Sequence, residues 1–410
     1  SFTGLRQDAG SWAQAHYAVK SGGLGLRTAR GSRLPAVIAS TAAAARACSR
    51  LDAHYSPHHT DDGRGPPHAD AMRRCADLLP GIFDDADASM LTQKNLSNRL
   101  DASVMAKMLG ASSTLPPRRV AYWRSLQLEG AGAWLSAAPL AKIGHRLEPR
   151  ACQALLGRRL SVPLYSSGTP CSLCGSPQDV FGDHALICPV GGIRVNRHDR
   201  ARDTIAAIAE LAGHSATVEK KGLLPPDVDE PAPTGPAGRR PADVYLPRWW
   251  NQQPACVDVA LPSALLPSRI AQSSKDPAFH LAAAARRKRT YLATEVQCKA
   301  AGMGFYPLIF DADGGAGAEA AKFLRELYAD VAKRGGAPVS VATARARQQL
   351  SMAIQQANAV ALLRHQQRPP AAFHPQAIAA RADAAAAADA TTPPVAQNAA
   401  VMRGAAPGAG

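Results

Sequence analysis

The chain has 410 residues, of which 46% are hydrophobic, enough for two or three domains with buried cores. Lys and Arg outnumber Asp and Glu by 47 to 32, giving a net charge of +15. That balance favours a polyanionic partner, nucleic acid before an acidic membrane surface, and no run approaches the ~20 uninterrupted apolar residues of a membrane span.

GC-rich coding drift, which enriches Ala, Arg, Gly and Pro, would produce a similar charge balance, so charge must be joined to sites. The chain opens at Ser1 without a signal-like apolar region and reads as a processed product or a fragment of something longer. Residues 1–165 read as a helical connector. Within it, Ser21-Gly-Gly-Leu-Gly-Leu26 marks a turn feeding an Ala-rich helix over 34–47. A GxGxxG phosphate loop is absent from this stretch. Residues 51–70, with His54, His58, His59 and His68 among Asp, Gly and Pro, read as a solvated loop without metal spacing. Phe83-Asp84-Asp85 lacks the flanks of a polymerase acidic pair. From 91 to 165 the pattern is helical, broken at Pro116-Pro117, Gly130-Ala-Gly132 and Pro139, with Trp123, Leu126, Leu128 and Trp134 as core.

Residues 166–192 carry the most specific motif. Cys171, Cys174, His184 and Cys188 form a C-x2-C-x9-H-x3-C pattern. A C-x2-C turn sets two thiolates on one side of a tight loop, and Gly175 supplies the backbone freedom it requires. His184 and Cys188 lie four apart, one helical turn. Four N/S ligands with no open position describe a closed, structural zinc site. The remaining cysteines (Cys48, Cys75, Cys152, Cys256 and Cys298) are scattered, which fits a reducing compartment better than a disulfide framework.

From 193 to 365 an α/β domain is expected. A helix over 194–213 has an apolar stripe of Ala201, Ile205, Ile208 and Ala212. Its start is basic, with Arg194, Arg197, His198, Arg200 and Arg202, and of these Arg194, Arg197, His198 and Arg200, together with Arg240, are candidates for contact with nucleic-acid phosphates. A short strand over 217–220 carries Glu219. Runs at 243–246 and 255–261 read as a hairpin about Trp250 and Asn251. Asp243 and Asp258 then fall opposite one another, each seven residues from the centre. Opposed residues of an antiparallel pair share a face, with Cα atoms about 4.5–5.5 Å apart. Two carboxylates that close repel unless a cation lies between them, and hard oxygen ligands suit Mg²⁺. A helix over 277–301 places His280, Ala284, Lys288 and Tyr291 on one face, so Lys288 can project toward the aspartates. Arg286, Arg287 and Arg289 fan out toward phosphates. A strand at 305–310 and helices at 318–333 and 340–364 complete an αβββαβα order, the last packing through Leu350, Ile354, Ala357 and Ala361. Residues 224–240 read as a Pro/Gly loop, and 366–410, nearly devoid of large apolar residues, as a disordered tail.

These motifs and their order resemble the carboxy-terminal region of non-LTR retrotransposon polyproteins, which carry a Cys-Cys-His-Cys knuckle and a restriction-like endonuclease after the reverse transcriptase. That family's Lys/Arg-Pro-Asp, its second acid 12–14 residues on and its later Lys-x-x-Tyr are matched by Arg240-Pro241-Ala242-Asp243, Asp258 and Lys288-Arg-Thr-Tyr291. Arg197-His198-Asp199 resembles its Arg-His-Asn step, and Gly130-Ala-Gly-Ala-Trp-Leu135 its connector. Ala242 is an insertion, and Ala260 stands where a D/E-x-K motif has lysine, which leaves Lys288 for that role. The resemblance implies a PD-(D/E)xK core after a helical connector and zinc knuckle, with Asp243, Asp258 and the Val259 carbonyl holding Mg²⁺. Lys288 would orient the attacking water, and Glu219 is a further candidate ligand. It also implies DNA and element RNA as partners, a polymerase in the same polyprotein and an intracellular, nuclear setting. The alternative is a non-catalytic, zinc-stabilised nucleic-acid-binding remnant.

Overall fold

The computed structural model of the chain describes residues 9–52, 67–78, 80, 91–110, 112–225 and 240–366. The histidines at 54, 58 and 59, the Phe83-Asp84-Asp85 triplet, most of the Pro/Gly loop and the tail from 367 lie outside the described residues. So does the burial of His68. The chain divides at Pro116–Pro117 into two units. Residues 117–165, expected as part of the connector, therefore belong to the C-terminal unit.

The N-terminal unit consists of α1 (Ala9–His16), α2 (Ala29–Leu51), α3 (Pro67–Leu78) and α4 (Gln93–Leu109). Ile38, Ala71, Cys75 and Leu96 form its core. The glycine turn works as its sequence implies. A Cβ on Gly23 would lie 2.1 Å from the Tyr17 carbonyl oxygen, so only glycine lets the chain double back there. The Thr28 side chain then accepts from Gly31 N–H and caps α2.

The C-terminal unit begins with α5 (Pro117–Ser125), α6 (Pro149–Arg159) and the single turn α7 (Asp183–Ile187). Next come α8 (Ile193–Ala212), β1 (Thr217–Val218), β2 (Val244–Leu246) and β3 (Ala255–Ala260). Three helices, α9 (Ile270–Ser273), α10 (Phe279–Thr290) and α11 (Thr294–Ala300), cross to β4 (Gly304–Ile309). The unit closes with α12 (Ala318–Gly335) and α13 (Val339–Gln366). The fold is mixed α/β, mostly helical, with a four-stranded sheet in the order β1-β2-β3-β4 among the described residues. β1–β2 and β2–β3 are antiparallel, and β3–β4 is parallel.

Alternation along β3 sorts its side chains. Ala255, Val257 and Val259 enter the main core beside Ile205 and Ile208 of α8, Phe323 and Leu327 of α12, and Leu350 and Ile354 of α13. Cys256 enters the smaller core of the opposite face with Tyr245, Cys298 and Phe305. Asp258, two residues further along, shares that second face by the period of the strand. The expected helix over 277–301 is broken. Leu292 and Ala293 adopt φ of 46° and 51°, which no helix accommodates, and α10 ends at Thr290.

Candidate metal centre and carboxylate site

The knuckle is a tight turn. Gly175 N–H donates to the Cys171 carbonyl at 2.9 Å and Cys171 N–H to the Ser176 carbonyl at 2.9 Å, while Gly175 itself takes φ 75°. Leu173 N–H lies 3.4 Å from the Cys171 sulfur. Asp179, which the spacing gave no reason to single out, builds the other half. Its carboxylate accepts from the N–H groups of Phe181, Asp183 and His184 at 2.8, 3.0 and 2.7 Å, capping α7. Burial opposes that charge, yet the three N–H donors hold the carboxyl below the usual range. His184 thus sits in the first turn of α7 and Cys188 at its end, the one-turn separation the sequence implies.

The four donor atoms of Cys171, Cys174, His184 and Cys188 lie within 4.8 Å of one another. Cys171 and Cys188 sulfurs are 3.9 Å apart, and Cys174 Sγ is 3.3 Å from His184 Nε2. A tetrahedron with metal–sulfur bonds of about 2.3 Å has edges of about 3.8 Å, so the cage fits a metal ion with little movement and is compatible with structural zinc. Cys171 and Cys188 are fully buried. The crowded thiols already share charge unequally. The Cys188 hydrogen bond pushes the Cys171 thiol down and the same contact pushes Cys188 up.

The two acids meet on the sheet. Val244 pairs with Val257 and Tyr245 with Cys256, the register the hairpin reading requires, so Asp243 and Asp258 are opposed. Their carboxyl groups lie within hydrogen-bonding reach of each other. Lys288 Nζ donates to Asp258 Oδ1 at 2.8 Å. Val259 N–H donates to Asp243 Oδ2 at 2.6 Å. The carbonyl of a strand residue points to the same edge as its N–H, so that of Val259 also faces the Asp243 side. His198, assigned from sequence to phosphate contact, instead places Nε2 3.0 Å from Asp243 Oδ2, with Nδ1 3.2 Å from Asp199 Oδ1.

Charge in this site is uneven. Burial, reinforced by Asp243, pushes the Asp258 carboxyl up to about 7 against the pull of Lys288. Burial would raise Asp243 as well, but the His198 hydrogen bond and charge, with Val259 N–H, hold it at about 2. Burial likewise opposes the charge of His198, and its bonds to Asp199 and Asp243 raise it to about 9. One acid is thus held as the anion while its neighbour is raised toward neutrality, as expected of adjacent carboxyl groups of which one is more fully buried.

Compared with models of known protein families, the chain matches none. No curated protein matches it either.

Other sequence-stated residues fall elsewhere. Glu219 takes φ 52° and its carboxylate is held by Arg202 and Arg240, each at 2.5 Å, which occupies both oxygens with cations. Arg197 is a correction: it is only 2% exposed. It lies one turn before Ala201 on the inner stripe of α8 and donates to Asn358 Oδ1 and the Leu186 carbonyl, so it cannot meet a phosphate. Burial draws its guanidinium down to about 10. Arg200 bonds Asn196 and Gln356. Arg289 is paired with Glu295 and Glu319, whereas Arg194, Arg286 and Arg287 are exposed. Tyr291 is the residue just past the end of α10 and is 54% exposed. His280, expected on that face, is buried against Asp311, with Nε2 2.8 Å from Oδ2. No helix among the described residues is long and apolar enough to cross a membrane.

Proposed function

We propose that the C-terminal unit is a metal-dependent DNA endonuclease of the PD-(D/E)xK type, in the part of a non-LTR retrotransposon protein that follows the polymerase. The convergence of Asp243, Asp258, Lys288 and His198 carries this reading. In it, Glu219 is an ion-pair partner for Arg202 and Arg240, and its place as a metal ligand is given up. The Cys171, Cys174, His184 and Cys188 cage would hold zinc as a structural ion. The donor set between the strands is the oxygen-rich one that Mg²⁺ selects, formed by the Asp243 and Asp258 carboxylates and the Val259 carbonyl. Mg²⁺ bound there supplies Lewis-acid stabilisation of charge on a scissile phosphate and lowers the pKa of a coordinated water.

The chain's own residues do the rest. Asp243, with one oxygen held by Val259 N–H and His198, keeps the other for the cation. Asp258, the second acid of the pair, would hold the cation as its carboxylate. Lys288, whose Nζ donates to Asp258 Oδ1 at 2.8 Å, would direct another N–H donor at the attacking water and at the charge developing on phosphate. Arg194, Arg286 and Arg287 are free in position to meet the DNA backbone, and element RNA is a second polyanion open to the same residues. The product is a nick whose 3′ end can prime reverse transcription by an upstream polymerase, a reaction that belongs in the nucleus.

The test is conversion of supercoiled plasmid to open circle by the purified chain with Mg²⁺, by wild type and by Asp258→Ala. Wild-type nicking that disappears in Asp258→Ala is the expected result. Equal nicking by both rejects the site. Zinc-replete, DNA-binding protein with no nicking at all would leave the non-catalytic remnant as the correct reading.

A further inference from the structure

We infer that the short turn Ala141–Ile143, with the residues just after it, is a second contact for the DNA backbone, placed across α8 from the carboxylate site. This rests on the reading of the C-terminal unit as a DNA endonuclease. Lys142 and Arg146 are exposed, and neither has a hydrogen-bond or ion-pair partner among the described residues. Between them His145 is buried, so an anchored side chain separates two free cations. The backbone here is pinned as well as charged. Gly144 N–H donates to the Ala141 carbonyl at 3.0 Å and His145 N–H to the Leu140 carbonyl at 3.0 Å. The Gln356 amide of α13 donates to the Gly144 carbonyl, and Gln348, about two turns earlier, donates to the Ser136 carbonyl at 2.9 Å. A charge run that is only a solvated face needs no such anchors.

Gln356 also locates the turn relative to the acids. Its Oε1 accepts from Arg200 Nη1 at 3.5 Å, so the turn stands at the Arg200 flank of α8. His198, two residues earlier and about 200° round the helix, faces the other way, with Nε2 3.0 Å from Asp243 Oδ2. One helix width, about 10–12 Å with side chains, therefore lies between the turn and the acids. The major groove of B-DNA is about 12 Å wide, so phosphates bordering one groove can reach both places at once. Chemistry narrows the partner further. Glu148 is the one acid of residues 141–150, against Lys142, Arg146 and Arg150, and all four are exposed. That excess suits phosphate. Residues 136–150 contain no Phe, Tyr or Trp on which an unpaired base could stack, which favours duplex DNA over single-stranded RNA.

The test compares Lys142→Ala/Arg146→Ala with the charge-preserving Lys142→Arg/Arg146→Lys. A third variant, Lys299→Ala/Lys322→Ala, removes two exposed cations from α11 and α12 and controls for net charge. Binding of each full-length chain to a synthetic DNA duplex is followed by fluorescence anisotropy as salt is raised, without Mg²⁺. A single-stranded RNA of the same sequence is the comparison probe. Lys142→Ala/Arg146→Ala should lower the salt slope by about 2 and weaken duplex binding on the order of tenfold. The charge-preserving variant should stay close to wild type, and the α11/α12 variant should keep its slope. An unchanged slope in Lys142→Ala/Arg146→Ala, or an equal loss in Lys299→Ala/Lys322→Ala, overturns the inference. So does a loss confined to the RNA probe. Plasmid nicking by wild type separates the two readings. If wild type nicks and the slope does not move, the turn falls alone; if the slope moves as expected and wild type never nicks, the contact stands and the endonuclease falls.

Discussion

Arg158 allows the packing argument to be tested with a number. It is 1% exposed, and its guanidinium donates to Asp313 Oδ1 and Oδ2 at 2.9 and 2.8 Å and to Asp183 Oδ1 at 2.9 Å. It also lies over the Tyr122 ring, 4.9 Å from the centroid. This one cation joins α6, the residue before His184 and the loop after β4. In Arg158→Met, Asp183 keeps Arg118 through two bonds of 2.5 and 2.7 Å, but Asp313 loses its ion-pair partner while still buried. Removing one member of a buried pair costs about 3–5 kcal/mol, chiefly for the charge left behind. With a urea slope of about 3 kcal/mol/M, the midpoint of the zinc-loaded protein should fall by about 1–1.7 M. Arg158→Met/Asp313→Asn removes the stranded charge and should recover more than half of the loss. The assay is urea unfolding followed by circular dichroism and tryptophan fluorescence together. A single variant within about 1 kcal/mol of wild type, or a double variant no better than the single, would show that the network does not stabilise the fold.

Four further outcomes follow from the same geometry. Lys288→Met should lower the nicking rate about 10²-fold or more with little change in DNA affinity, measured by single-turnover kinetics and gel shift. His198→Ala should raise the Mg²⁺ concentration for half-maximal nicking about 10–100-fold, with His198→Gln intermediate, because Asp243 loses the donor that orients it. Asp258 titrates at about 7 without the cation, so the proton it carries below that pH must leave on binding. Half-saturating Mg²⁺ should therefore fall about tenfold per pH unit up to pH 7 and level off above about 8, and a flat profile would exclude a protonated Asp258. Arg286→Ala/Arg287→Ala should weaken DNA binding and reduce the salt slope by about 2, while Arg197→Ala should lower the unfolding midpoint and leave that slope unchanged.

Much of the site was legible because its determinants are local. The hairpin register follows from a turn centred at Trp250–Asn251 between two largely apolar runs, and that register opposes the acids. The cage follows from cysteine and histidine spacing, and Lys288 from counting along a helix. The misses have physical causes of their own. Arg197 belongs by charge to the basic start of α8 but by period to its buried stripe, and burial decided. The triplet Arg197-His198-Asp199 stands out in the sequence, yet nothing local says that His198 turns toward Asp243, 45 residues on. The break after α10 falls at Tyr291-Leu-Ala293, where no Gly or Pro announces it. Arg158, Asp183 and Asp313 meet only in the folded chain, and composition cannot foretell which buried charges find partners.

The cage and the acids are linked through one helix, and the linkage has a direction. Four residues separate Cys188 from α8, and His198 lies in the second turn of that helix. The knuckle therefore sets how α8 enters, Arg197 fixes its inner face by bonding the Leu186 carbonyl beside the cage, and the next residue holds Asp243. A metal in the cage should thus govern the order of the carboxylate site, because ligand bonds to Cys188 and His184 anchor the start of the helix. The converse dependence is weak. Neutralising Asp243 or Asp258 removes charge at the far end of the relay, where Lys288 and His198 can reorient toward solvent without disturbing Cys188. Chelation of the cage should accordingly abolish Mg²⁺-dependent nicking and loosen amide protection along α8, while Asp243→Asn should stop nicking with the metal retained.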